Sequence, residues 1–220
     1  MIYLDHAATA ALKEEALSAM LPYFSTYYGN PSAGYMFASE ARKALNRTRR
    51  ILAELTGAGP DEIYFTSGGT ESDNIAVMGT AEAFSRRLAR CRDNKHHNTE
   101  GCTGSKGHII SSAMEHPAVY ECCKRLERSG WRVTFLTPDE NGVIRPPDVE
   151  RAVCEDTALI SIMYANNETG VLQPVKEIGE IAASHHIPFH SDAVQAFGHV
   201  PLDVRREHIT LLSASAHKFG

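Results

Sequence analysis

Apolar positions along this chain switch repeatedly between a period of three to four residues and a period of two, and the switches lay out its elements. In "ASEARKALNRTRRILAELTGA", Ala41, Leu45, Thr48, Leu52 and Leu55 recur at helical spacing, and Gly57 stands where a helix stops. "EIYFTS" reads as a strand, "TESDNIAVMGTAEAFSRRLA" as a helix and "HIISSA" as a strand. "PAVYECCKRLERSG" predicts a helix ending at Gly130, "WRVTFLT" a strand, and "PPDVERAV" a short helix with proline near its first turn. "ALISIMYA" follows as a strand, and "PVKEIGEIAASHH" as a helix with Val175, Ile178 and Ile181 on one face. "IPFHSDAV" and "ITLLSASA" complete the series as strands. Strands alternating with helices predict a mostly parallel α/β sheet covered on both faces. One stretch breaks the pattern: residues 91–107, "CRDNKHHNTEGCTGSKG", are polar and read as an exposed loop insertion.

Composition narrows the picture only a little. At 220 residues, 43% hydrophobic and 22% charged, the chain reads as an ordinary soluble globular protein. A formal net charge of -5 gives no general reason to expect nucleic acid or an anionic membrane as partner. No apolar run reaches the roughly 20 residues of a membrane span. The N-terminus, "MIYLDHAATA", carries Asp5 and no basic leader, so no signal peptide is expected. Five irregularly spaced cysteines fit a reduced, cytoplasmic compartment better than a disulfide framework.

In an open α/β sheet, ligands bind beyond the carboxyl ends of the strands, so the residues that follow each strand matter most. After "EIYFTS", Gly68, Gly69 and Thr70 lead into a helix with Asp73 placed for a capping box. Glycines there let the backbone approach an anion, which the helix N-terminus favours. A simple capped turn explains the same residues. After "HIISSA" comes His116, just before a proline at a helix start. After "ALISIMYA", Asn166, Asn167 and Glu168 crowd the strand end, which ordinary turn chemistry also explains. "IPFHS" delivers Asp192 and Gln195 to the tip of a buried strand, where an unpaired carboxylate is costly. "ITLLSASA" delivers His217 and Lys218. Every strand end except that of "WRVTFLT" thus carries a polar cluster, and all project to one edge. A lysine, a strand-end carboxylate and an anion-binding helix start are the parts that pyridoxal phosphate (PLP) requires.

Long segments carry a resemblance in order from residue 3 to residue 220: "YLDHAATA", "MLPYFSTYYGNPSAGYMFASEARKAL", "IYFTSGGTESDN", "SSAMEHPAVYE", "NNETGVLQPVKEIGEIA", "HSDAVQAFGHVPLDV" and "LLSASAHKFG". On these the chain resembles the NifS-like cysteine desulfurases of the class V aminotransferase family, fold-type I PLP enzymes. The resemblance implies a three-layer α/β sandwich with a mostly parallel central sheet, incomplete at its C-terminus. Residues 1–15 would form an N-terminal arm and residues 16–220 the PLP-binding large domain. It also implies roles. Lys218 would bond the cofactor covalently and His116 would stack on its ring and act in acid–base chemistry. Asp192 would pair with the ring nitrogen and Gln195 with the ring hydroxyl. Gly69, Thr70, Ser215 and His217 would bind the phosphate, and Asn167 would lie near the ring and the substrate carboxylate. The activity implied is removal of sulfur from L-cysteine, giving alanine and an enzyme persulfide for iron–sulfur cluster assembly or other sulfur transfer. The implied partners are a sulfur acceptor or scaffold protein and a second copy in a homodimer.

The chain departs from the family at three places. His6 stands where asparagine is usual, the insertion at residues 91–107 is longer than expected, and the family chain continues well past the lysine. The family's continuation supplies a further core strand, a loop with the nucleophilic cysteine and a small domain with a substrate-carboxylate arginine. Residues 1–220 are therefore expected to be the N-terminal portion of such an enzyme, inactive and poorly stable alone because two strand edges would lack partners. A selenocysteine lyase, another class V aminotransferase, one half of a split enzyme and a non-catalytic fragment remain as alternatives. Cys122, Cys123 and Cys154 read as small packing residues. Cys91, His96, His97 and Cys102 match no common zinc spacing, so no metal site is expected.

Overall fold

The structure, a computed structural model, describes residues 2–93 and 106–219. In chain order its elements are α1 (Glu14–Met20), α2 (Pro22–Ser25), α3 (Ser39–Thr56), α4 (Gly69–Asp93), β1 (His108–Ser112), α5 (Pro117–Arg128) and β2 (Arg132–Leu136). There follow α6 (Pro146–Ala152), β3 (Thr157–Ser161), α7 (Val175–Ser184), β4 (Phe189–Asp192), β5 (Leu211–Ser213) and a closing 3-10 turn, Ala216–Lys218. Helix α3 stops at Gly57, whose φ of 73° is left-handed. Helix α5 opens on proline and is capped by His116, whose ring accepts from the Ala118 amide.

The five strands form one all-parallel sheet in the order β2-β1-β3-β4-β5. Alternation along the strands divides their side chains between two apolar layers. Ile109 and its β3 partner Leu159 face α4 and α5, among Val77, Ala81, Val119, Cys123 and Leu126. Ile110 and its partner Ile160 face the other way, toward Val149 of α6 and Val175, Ile178 and Ala182 of α7. The result is a three-layer sandwich, and the near-continuous hydrophobic reading of β1 and β3 reflects burial on both faces.

Three expectations need correction. "EIYFTS" is not a strand: Pro60–Glu62 make a 3-10 turn and residues 63–67 pair with nothing in the sheet. The backbone at Ile63 is extended, as β-formers favour, but a strand needs a neighbour for its amides and carbonyls, and among the described residues none lies beside this segment. Tyr64 is accordingly 82% exposed. Phe65 instead stacks under the Arg49 guanidinium, whose Nε donates to the Ile63 carbonyl. Second, α4 runs through residues 91–93, so the loop expected at residues 91–107 begins later. At its far end Gly107 is buried rather than exposed, and the Lys106 amide donates to the Gly130 carbonyl. Residues 94–105, with the zinc question at His96, His97 and Cys102, fall outside the described residues. Third, the expected capping box does not form. The Glu71 carboxylate, not Asp73, accepts from the Ser67 amide ahead of the helix, and Asp73 is turned inward.

Helix α7 packs close to the backbone that leads into β5. A Cβ on Gly179 would lie 1.9 Å from the Glu207 carbonyl oxygen, a contact that neither side can absorb without moving backbone. Gly179→Ala should therefore lower stability by about 1–3 kcal/mol, despite the better helix propensity of alanine. Chemical denaturation of the two proteins checks this, and an alanine variant as stable as its parent would show that the contact relaxes freely.

Candidate active site

Because all five strands run in one direction, the segments leaving β1, β3, β4 and β5 emerge at the same edge. There they enclose an open cavity of about 400 Å³. Every residue given a cofactor role by the resemblance lines it: Gly69, Thr70, His116, Asn167, Asp192, Gln195, Ser215, His217 and Lys218.

Each is held by local structure. Lys218 sits on the closing 3-10 turn, and its Nζ donates to the carbonyls of Ala7 at 2.5 Å and Ala8 at 2.9 Å. Gln195 Nε2 donates to the same Ala7 carbonyl at 3.0 Å. The N-terminal segment is pinned there by the Ala10 amide, which donates to the His217 carbonyl at 2.8 Å. At α5, His116 Nδ1 accepts from the Ala118 amide at 3.2 Å, which leaves the ring proton on Nε2. Asn166, rather than Asn167, builds the turn after β3. Its Oδ1 accepts from the amides of Glu168 and Thr169, while Asn167 Nδ2 donates to Glu168 Oε1.

Asp192 ends β4 with Oδ1 accepting from the Val194 amide at 2.9 Å. Burial and the nearby Asp73 carboxylate push its carboxyl up to about 6, opposed by that amide and by His190 and His116. Two buried acids beside it were not anticipated as site residues. Asp73 lines the cavity, only 1% exposed. Glu115, in the loop that carries His116, is buried. Its Oε1 accepts from Ser112 Oγ at 2.6 Å and from the Met163 amide at 3.0 Å, tying the end of β1 to the end of β3. Its Oε2 is buried without a hydrogen-bond partner. Burial pushes Glu115 up from 4.5 to about 8. A strand-end "ME" or a helical Asp three residues past a threonine carries no periodic signal for such burial. Asp5, Ala7 and Ala8 also line the cavity, brought there from the far end of the chain.

The donor set suits a flat, anionic aldehyde cofactor. At one end, the free amides opening α4 adjoin Ser215 and His217. Gly69 is needed there, since a Cβ would lie 2.9 Å from Val194 Cγ2. A primary amine and a carboxylate with one oxygen uncommitted to Val194 complete the rim.

An all-parallel five-stranded sheet between helical layers, with its cavity at the carboxyl edge, is the architecture of the fold-type I PLP enzymes. The chain belongs to the class V aminotransferase family: the Aminotransferase class-V pattern matches residues 2–91 and 93–220. Enzymes of this family are PLP-dependent. The chain is 47% identical over 219 residues to cysteine desulfurase IscS of Methanosarcina thermophila, covering 99% of this chain and 50% of that one. It is 42% identical over 218 residues to the cysteine desulfurase of Mus musculus, covering 99% and 44%. Among solved structures it superposes on one titled SspA in complex with cysteine, with a TM-score of 0.88 and 38% identity, covering 98% and 57%. A NifS-like protein gives a TM-score of 0.86 at 34% identity, covering 99% and 55%. The chain thus spans about half the length of the curated relatives it matches.

Glu115 predicts a pH signature. Its folded value lies above its unfolded one, so the folded state keeps a proton that the unfolded state releases. That contribution is full below about 4.5 and is lost as pH rises toward 8. Glu115→Gln keeps a neutral side chain at all pH values, so its melting temperature should fall less than the parent's between pH 5 and pH 8. Parallel melting profiles would show that Glu115 is ionised throughout in the folded protein.

Proposed function

We propose that residues 1–220 form the PLP-binding large domain of a cysteine desulfurase, with residues 1–15 as an arm that closes over the site. The observation that supports it most is the convergence of Lys218, Asp192 and the opening of α4 on one cavity. PLP, when bound, supplies an electron sink for negative charge developing at the substrate's Cα.

The chain's own residues divide the remaining work. Gly69, Thr70, Ser215 and His217 hold the phosphate, where helix-end amides and the dipole favour an anion. Asp192 would keep the ring nitrogen protonated through the carboxylate oxygen that Val194 does not use. Gln195, which donates to the Ala7 carbonyl in this structure, would face the ring hydroxyl, and Asn167 would steady the ring and the substrate carboxylate. Lys218 would hold the cofactor through Nζ, which here donates to the carbonyls of Ala7 and Ala8, and its free amine would take the Cα proton. His116 would lie against the ring, with its proton at Nε2 available to the substrate thiol.

The relatives are named cysteine desulfurases, and one solved relative is titled as holding cysteine, which supports L-cysteine as substrate. Alanine and a persulfide are the products on this reading. No cysteine among the described residues lines the cavity, so the sulfur-accepting thiol is assigned to a segment outside them. Cys122 and Cys123 lie on the buried face of α5, and Cys154 meets the first residue of β1, at the opposite end of the sheet. On this reading the sulfur passes to an acceptor or scaffold for iron–sulfur cluster assembly, in the cytoplasm. Among the described residues no helix is long and apolar enough to cross a membrane. A homodimer accords with the apolar side chains left exposed near the N-terminus, including Phe24 at 72% and Met36 at 92%.

Borohydride treatment of the PLP-loaded protein tests the central assignment. The protein should absorb visible light with PLP, and reduction should fix the cofactor to the Lys218 peptide, with no label in Lys218→Ala. A label on Lys176 or Lys106 instead would overturn it.

A further inference from the structure

Asp192 does not stand alone. Alternation along β4 puts His190 and Asp192 on the same face of the sheet, toward α4, because Phe189 and Ala193 belong to the opposite layer. Helix α4 answers with Asp73, whose Oδ1 lies 3.5 Å from His190 Nε2. Both side chains are inaccessible, at 0% and 2% exposure. The separation is that of an ion pair, and Asp73 Oδ1 has no hydrogen-bond partner. Both nitrogens of His190 are in polar contact: Nδ1 with Ser161 Oγ at 2.9 Å, and Nε2 with Ser213 Oγ at 3.2 Å. Ser213 Oγ passes the contact on to Ser72 Oγ at 2.9 Å. The serines can accept from both ring nitrogens, so His190 can hold two protons without losing a contact.

Such a cluster is expensive. Hydrophobic residues of similar volume commonly serve stability as well as a buried ion pair does, or better. Asp73 and His190 nevertheless sit beside a cavity-lining carboxylate, with Asp73 itself at the cavity wall. We propose that Asp73 and His190 are a positioning pair that sets the charge with which Asp192 meets its ligand. They act with opposite signs. The Asp73 carboxylate disfavours a second negative charge at Asp192, and protonated His190 favours it. The other charged or titratable groups around Asp192 are His116 at the cap of α5, Glu115 in the loop before it, His217 and Lys218 on the closing turn, Asp5 of the N-terminal segment and Glu168 in the turn after β3. None of these is in the Asp73–His190 contact. The identity of the ligand atom, the ring nitrogen of PLP, rests on the proposed function, while the coupling of the three side chains does not.

The opposite signs give a test that damage to the fold cannot imitate. In the full-length, cofactor-free gene product, the Asp192 carboxyl is titrated by aspartate-selective ¹³C NMR and assigned through Asp192→Asn. Asp73→Asn should lower the Asp192 midpoint by about one pH unit, and His190→Gln should raise it. Loosening of the site by either substitution would admit water and draw both midpoints toward the ordinary aspartate value of about 3.9. Shifts in opposite directions support the pair, whereas an unmoved midpoint, or two shifts downward, overturns it. PLP uptake by the same proteins is followed separately by visible absorbance. Opposite shifts in a protein that takes up no PLP would keep the pair and remove the ring nitrogen as its object.

Discussion

Five strands running one way send every loop that leaves their carboxyl ends into a single space, and nearly everything functional in this chain follows from that. In an antiparallel sheet the same loops would divide between two edges. Here α4, the cap of α5, the turn after β3, the tip of β4 and the turn after β5 share one cavity. The parallel ladder demands burial on both faces, which the two apolar layers supply. It thereby creates a dry floor beneath a polar rim.

That floor makes the site's carboxyls unusual. Glu115, Asp73 and Asp192 are each buried, and each would be costly as an isolated anion. The chain manages them differently. Glu115 is held neutral by burial while its Oε1 accepts two hydrogen bonds that join adjacent strand ends. Asp73 faces His190 across an ion-pair distance. Asp192 receives a backbone amide and keeps its remaining oxygen for the cavity. Three acids of similar intrinsic strength thus acquire different chemistry from position alone.

The rim depends on contacts between the extremes of the chain. Thr9 and His217 touch, as do Ala7 and Lys218, across more than two hundred positions. The arm has few regular hydrogen bonds of its own, so its course is set by what it meets. Two of its carbonyl oxygens, on Ala7 and Ala8, accept from Lys218 Nζ and so fix where that amine stands at the cavity.

Much of this was legible in the residues. Periodicity located α3, α5 and α7 and the strands β1 to β5, because burial on one or both faces leaves a local signature in apolar spacing. The strand-end rule gathers His116, Asn167, Asp192 and Lys218 at one edge from the residues alone; Gly69 reaches the same edge although the segment ahead of it is not a strand. Local pattern failed where a neighbour decides. Residues 63–67 have the composition of a strand, and Ile63 has the extended backbone of one, yet a ladder is a property of two segments, and no partner is present among the described residues. Asp73 reads as a helix cap, but the turn of α4 aims it at His190, and Glu71 takes the capping amide. Spacing and residue type alone settle which residues can form elements and which side chains can do chemistry. Which acids are dry, which are paired and what covers the lysine depend on the folded arrangement. Those properties belong to distances between segments far apart in the chain, and no local period encodes them.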